Sequence, residues 1–444
     1  MCAPINYGDL LATAKRLVKG PSLRRSLPAG YDIKPGERAL LVVNSFYDKA
    51  VVDAIVDAIR QAPAKVDVIN IDMGPDRPLN FTDELWGFMH NLPGIPEKNV
   101  VRLWIERVRW AEKVAGEEGY DILIHTLGGP LPDTGFRYEG IPWTSREIFP
   151  SADFPFEVWD LINHKAWNQI WSKGKGGKVR LTDPEGTDVS FTLHEEYYDL
   201  DRYAETKSTP FFQAEPFFGH LFGRQTPPYY GEKEDTTGVV AGTTNHMSSP
   251  FPHIKVHIDG GKVVGMEGGG KYGDEWRKLL EATKNIHYPE YPSRGLFWWW
   301  ELAIGTNPKM RRPSNAFMLS GAGTVYERLR SGVIHIGIGS PIYGPSEDWA
   351  AERKFPYGHM HVHLLFATYE ITCRDGTKIK VIDNGHLTAL DDPEVIALAS
   401  KYGDPKEILR DEWIPPMAGI SVPGDYWKDY APDPAAWIDN HKDV

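Results

Sequence analysis

A chain of 444 residues exceeds what one small hydrophobic core supports and predicts two domains with an appended tail. Its formal net charge of −12 excludes nonspecific nucleic-acid binding, which needs clustered Lys and Arg, and directs attention to a small-molecule substrate. Cys2 and Cys373 are too few for a disulfide framework or a cysteine zinc cluster; with no apolar run of about 18 residues and no basic-then-apolar opening, the expectation is a cytoplasmic protein without membrane span or signal peptide.

From Pro35 the chain reads as an α/β unit. Arg38 to Asn44 is a strand-like apolar run, Lys49 to Gln61 has helical periodicity and Lys65 to Ile71 reads as a second strand, so a βαβ unit is predicted. Val100 to Gly116 reads as a helix and Asp121 to Thr126 as a short buried strand ended by Gly128-Gly129-Pro130. Without a full glycine-rich fingerprint, those glycines are read as a turn rather than a phosphate loop. Gly174-Lys175-Gly176-Gly177 reads as a linker, after which Lys178 to Leu181, Asp188 to Leu193, Gly238 to Thr243 and His253 to Ile258 are predicted strands. The clearest hairpin signal is Val256 to Val264, where Asp259-Gly260-Gly261 separates two alternating runs. Gly268-Gly269-Gly270 leads into a helix from Asp274 to Thr283. Further strands are predicted at Trp298 to Ile304, Val333 to Ile338, His361 to Glu370 and Lys378 to Ile382, and a helix from Glu394 to Tyr402 precedes a Pro- and Trp-rich tail. The predicted architecture is an α/β N-terminal domain over residues 1–175, a β-rich (α+β) metal-binding domain over 176–390, and a C-terminal helix and tail over 391–444.

The residues with the strongest chemical signal are His359-Met360-His361-Val362-His363. Three imidazoles at spacing two share one face of one strand, with Met360, Val362 and Leu364 on the opposite, apolar face. Imidazole is the commonest protein metal ligand, and neighbouring strand positions hold two ligands in fixed geometry, so a metal site is predicted; a polar strand face packed under a loop is the plain alternative. Two more segments place one ionisable side chain inside an apolar strand: Glu301 in Trp298 to Pro308, and His335 in Gly332 to Gly339. Such groups are costly to bury unless paired, hydrogen-bonded or coordinated. A structural ion pair is the alternative for Glu301, and a hydrogen-bonded core histidine for His335. Trp298, Trp299 and Trp300, in a chain with 15 tryptophans, suggest an aromatic wall to which at most two of the three contribute from one face.

These segments resemble the thermophilic aminopeptidase T metallopeptidase superfamily, and within it the branch of dihydroxypyridine ring-opening dioxygenases. The similarity runs from Ile33-Lys34-Pro35-Gly36-Glu37 through Val179 to Asp188 to about residue 390, with its best-matched stretches at His257 to Gly265, Glu301 to Pro308 and His361-Val362-His363. The resemblance implies a thermophilic metalloprotease-like metal domain and a homodimer. It places a peptidase glutamate ligand at Glu301, a histidine at His335 and a His-x-Asp pair at His361 and His363; the dioxygenase branch has histidine at the place of Glu301. This chain departs from both, since His363 stands where aspartate is expected. The exchange leaves Glu301, His361 and His363 as an implied ligand set of two imidazoles and one carboxylate, the pattern associated with non-haem Fe(II). The family's two-metal peptidases carry a further bridging carboxylate upstream of the His257 to Gly265 hairpin, yet Thr243 to Pro250 holds no acid. His246 in that stretch is a candidate to reach the metal or substrate, with a turn residue as the alternative.

The leading functional expectation is a mononuclear metal enzyme, with Fe(II) first and Zn or Mn as alternatives, that oxidatively opens or modifies a small aromatic or heteroaromatic substrate. His335 or His359 is cast as the acid-base group, with His246 as a further catalytic candidate. The second is a metal-dependent hydrolase, aminopeptidase-like or an amidohydrolase, in which His335, His361 and His363 hold the ion and Glu301 is general base. A noncatalytic metal-binding protein is the third; it leaves unexplained why polar strand interiors come from distant segments.

Overall fold

The computed structural model describes residues 6–22, 30–44, 48–71, 110–125, 137–140, 146, 149–195, 220–224, 234–245, 250–289, 291–310, 328–340, 349–350, 352–411 and 415–441. Within them the chain is an α+β protein built on three sheets.

The first sheet is parallel. Helix α1 (Tyr7–Lys19) is capped reciprocally by Asn6 and Asp9. It is followed by β1 (Arg38–Asn44), α2 (Lys49–Gln61), β2 (Lys65–Ile71), β3 (Ile122–His125) and β4 (Tyr138–Gly140), in sheet order β2-β1-β3-β4. Ala39, Leu41 and Val43 of β1 join the core formed with α1 and α2, whereas Leu40 and Val42 meet Ala111 and Ala115 of the helical segment 110–117. A parallel strand covered on both faces reads as continuously apolar, which explains the Arg38 to Asn44 pattern. The βαβ unit has the predicted bounds, and α1 lies upstream of every element predicted from the sequence. The turn predicted at Gly128-Gly129-Pro130, and residues 100–109 of the helix predicted before it, lie outside the described residues.

Helix α3 (Phe156–Trp167) leads to β5 (Lys178–Thr182), β6 (Asp188–Thr192), β7 (Leu221–Phe222), β8 (Thr237–Thr244), β9 (Pro250–Asp259) and β10 (Lys262–Gly268). Then come α4 (Gly270–Thr283), β11 (Trp299–Ile304), β12 (Ile334–Gly339), β13 (His359–Leu364), β14 (Thr368–Thr372), β15 (Lys378–Asp383), β16 (His386–Leu387) and α5 (Pro393–Ala399). An eight-stranded sheet runs β10-β9-β8-β6-β5-β14-β15-β16, and a four-stranded antiparallel sheet runs β13-β12-β11-β7. The β9–β10 hairpin turns through Gly260 and Gly261 at φ 57° and 75°, the left-handed pair its tight turn requires. The sheets meet where β8 lies on β13: a Cβ at Gly242 would come within 2.7 Å of Val362 Cγ1.

One expectation is corrected. His361 to Glu370 is two strands in different sheets: β13 ends at Leu364, and β14 begins at Thr368. The crossing carries no Gly or Pro because its residues are packed, with Leu365 buried against the C-terminal segment and Ala367 in the main core. That C-terminal segment packs on the body. Met417, Ala418, Tyr426, Tyr430, Ala431 and Ile438 cluster with Val333 and Leu365, and the Tyr426 hydroxyl donates to Glu185 Oε1 at 2.7 Å. Among the described residues, no helix is long and apolar enough to cross a membrane.

Candidate metal centre

Strand register assembles the site. His335 pairs with His363, Gly337 with His361 and Gly339 with His359, while Glu301 and Ala303 of β11 pair with Gly337 and His335. Because side chains alternate along a strand, one face of this sheet carries Glu301, His335, His359, His361 and His363, with glycines at the two remaining β12 positions. The other face is Leu302, Ile304, Ile334, Ile336, Ile338, Met360, Val362 and Leu364, all in the main core. Burying the apolar face fixes the register, since a one-residue slip would drive the histidines into the core.

A register shift between Trp299 and Glu301 re-aims the tryptophans. Trp299 packs edge-on against Phe191 at 6.2 Å between ring centroids, whereas Trp300 meets the His359 ring edge-on at 5.7 Å. Trp298 stacks on Tyr291 at 6.2 Å. Of the three, Trp300 is the one in contact with a site histidine.

Glu301 is the hub. Its Oε1 accepts a hydrogen bond from His220 Nε2 at 2.5 Å, and its Oε2 lies 3.2 Å from His335 Nε2 and 3.8 Å from His359 Nε2. The His361 ring sits 4.5 Å from that of His335 and 4.3 Å from that of His359. Two groups of ligand atoms, each within 4.8 Å of one another, share the carboxylate: Glu301 with His359 and His361, and Glu301 with His220 and His335. All five residues are buried. His363 is in neither group; its Nε2 lies 2.9 Å from His335 Nδ1. His359 Nδ1 donates to the Ser340 carbonyl at 2.6 Å, which leaves Nε2 as the lone-pair nitrogen turned toward Glu301.

Burial acts to raise the Glu301 carboxyl, but the adjacent His335 and His220 imidazoles outweigh it and hold the group well below the usual carboxylate range. Burial pushes His335 well below the ordinary imidazole value against the opposing pull of Glu301, and lowers His220 in the same way. Glu301 is thus favoured as the carboxylate, and His220 and His335 as neutral rings, the protonation that metal binding favours.

The donor set tests whether an ion fits. Ligand atoms of Glu301, His359 and His361 are buried and lie within 4.8 Å of one another, close to the spread of atoms around one ion at about 2.0 to 2.3 Å. A Cβ at Gly337 would lie 2.4 Å from His359 Nε2 and 3.0 Å from Glu301 Oε2, so glycine at this position is what lets those two groups approach. A divalent ion suits that donor set.

The sequence candidates fall into place as follows. Glu301, His335, His359 and His361 come together, His363 stands behind His335, and His246 lies outside the described residues. Sequence reasoning omitted His220. It directly precedes the two-residue strand β7, which pairs with the end of β11, and its ring meets that of Phe222 edge-on at 5.3 Å. The available signal was the one used for Glu301 and His335, a polar side chain inside the apolar run Phe217 to Phe222.

No family model matches this chain, and no curated protein matches it. Among solved structures it is similar to the 2,5-dihydroxypyridine dioxygenase of Pseudomonas putida, with a TM-score of 0.47 and 14% identity over 86% of this chain and 98% of that one. It is also similar to wild-type AmpT of Thermus thermophilus, with a TM-score of 0.43 and 13% identity over 86% of this chain and 99% of that one.

Proposed function

We propose that the protein is a metal-dependent enzyme in which Glu301, His359 and His361 hold one divalent ion, Fe(II) first, and that it oxidatively opens or modifies a small aromatic or heteroaromatic compound. The observation that carries this reading is the buried Glu301 carboxylate whose ligand oxygen lies within 4.8 Å of ligand nitrogens of both His359 and His361. Two imidazoles and one carboxylate on one side of an ion are the set associated with non-haem Fe(II), which supplies open positions for a chelating substrate and dioxygen. The chain's own residues do the rest. His220 and His335 keep the carboxylate ionised and oriented, and Trp300 gives the site an aromatic side. Dioxygenase ring opening needs no separate reductant, because both oxygen atoms enter the product.

A second reading is hydrolysis by a metal-activated water. The second group, Glu301 with His220 and His335, favours it, because a carboxylate shared between two sets of imidazoles could serve two ions. The test is oxygen uptake by anaerobically purified, Fe(II)-loaded protein supplied with catechol-like and hydroxypyridine-like compounds. Uptake matching substrate loss is expected. Zinc- or manganese-dependent cleavage of amides with no oxygen uptake would replace the first reading by the second.

A further inference from the structure

We infer that His363 is a positioning residue for His335 and does not itself hold the metal through Nε2. This rests on the metal-centre reading above and assigns His363 a role different from the one the family resemblance implies for its position. The warrant is the 2.9 Å contact between His363 Nε2 and His335 Nδ1. Each unprotonated ring nitrogen has a single lone pair in the ring plane, so two ring nitrogens at this distance share one proton, with one as donor and the other as acceptor. If His363 Nε2 donates, it has no lone pair for an ion; if it accepts, its lone pair is already engaged. In neither arrangement is that nitrogen a ligand.

On its other side His335 stands beside the carboxylate, with Nε2 3.2 Å from Glu301 Oε2, so the contact with His363 fixes the imidazole that adjoins Glu301. The strands hold this contact in place: His335 and His363 are direct cross-strand partners, and their rings lie 5.1 Å apart, tilted by 60°. Ligating carboxylates are commonly fixed by hydrogen-bonded outer partners of this kind, whose loss weakens metal binding without removing a ligand.

Nitrogen-15 NMR of histidine-labelled protein loaded with Zn(II) tests the assignment, with zinc as a diamagnetic probe of the site. Expected are metal-type shifts at His359 and His361, a single His335 tautomer, and no metal-type shift at His363 Nε2. His363→Leu should keep one zinc per chain, bind it roughly 10- to 100-fold more weakly and lose the single His335 tautomer; His363→Gln, whose amide can hydrogen-bond Nδ1, should restore it. A metal-type shift at His363 Nε2, or loss of zinc from both variants, would make His363 a ligand and overturn the inference. An unchanged tautomer and affinity in His363→Leu would reduce it to packing. Absence of any zinc-induced shift at all the site histidines would instead remove the metal centre itself, and this assignment with it.

Discussion

At the scale of single residues, the site depends as much on a missing side chain as on those present. Gly337 pairs with both Glu301 and His361 across the sheet, and any Cβ there enters the space between His359 Nε2 and Glu301 Oε2. Gly337 is not one of the left-handed glycines, so alanine is compatible with its backbone and the effect of substitution is steric. Gly337→Ala is expected to fold, by circular dichroism, and to lose stoichiometric metal by elemental analysis. Metal content equal to that of the parent would show that the close approach of His359 and Glu301 over this position is not needed to hold the ion. The same scale shows what could be read from sequence. Glu301, His335 and the His359 to His363 run stood out because each sets an ionisable group in an apolar strand. The division of labour among the histidines did not, because it depends on which ring nitrogen faces which partner across β12 and β13.

At the scale of elements, β13 is an edge strand whose outward backbone is not left to solvent. The Tyr272 hydroxyl on α4 donates to the His361 carbonyl at 2.8 Å and accepts from the His361 amide at 3.0 Å. These groups point away from β12, so Gly337 and His361 form a narrow, non-hydrogen-bonded pair, as do His335 and His363, and side chains on such pairs are close. Tyr272 is itself fixed by stacking on Phe251, at 4.3 Å between ring centroids, and by edge contact with Trp276 at 6.0 Å. Tyr272→Phe retains that packing and removes only the hydroxyl. It should destabilise the fold by about 1 to 3 kcal/mol, the usual range for leaving buried polar groups unsatisfied, and weaken metal binding roughly tenfold or more. Competition with a chromophoric chelator measures the second effect, and unchanged affinity would mean that the edge does not steer His361. The extent of individual strands and of the β9–β10 hairpin was legible because alternation and turn glycines are local signals. The Leu365 to Ala367 crossing was not, since an apolar segment that changes sheets has the same local pattern as one that continues.

At the scale of the whole molecule, the C-terminal segment closes the protein over the ends of the site strands. Val333 lies two residues before His335 and Leu365 two after His363, and both are buried by Met417, Ala418, Tyr426 and Tyr430. Truncation before Pro415 should lower the melting temperature by several degrees and uncover Glu185; an unchanged melting temperature, with unchanged mass by light scattering, would contradict this. A second clamp is ionic. His386 lies 3.2 Å from Asp411 Oδ2 and 3.0 Å from Asp391 Oδ2, and hydrogen bonding to Asp411, with further support from Asp391, raises it to about 9 despite partial burial. Because the folded value lies above the ordinary 6.5, its stabilisation is fully present below about pH 6.5 and fades as pH rises through about 9. The melting temperature should therefore fall more over that window in the parent than in His386→Gln. Parallel pH profiles would show that the clamp contributes nothing measurable, as many exposed ion pairs do.

All of these scales converge on the claim that Glu301, His359 and His361 form a metal-binding unit. Metal analysis after anaerobic Fe(II) loading and removal of excess ion, on the parent and on Glu301→Gln and His361→Ala, tests it most directly. One Fe(II) per chain in the parent, with loss from both variants while circular dichroism remains that of the parent, is the predicted result. A parent that retains no metal, or variants that retain it in full, would contradict the account.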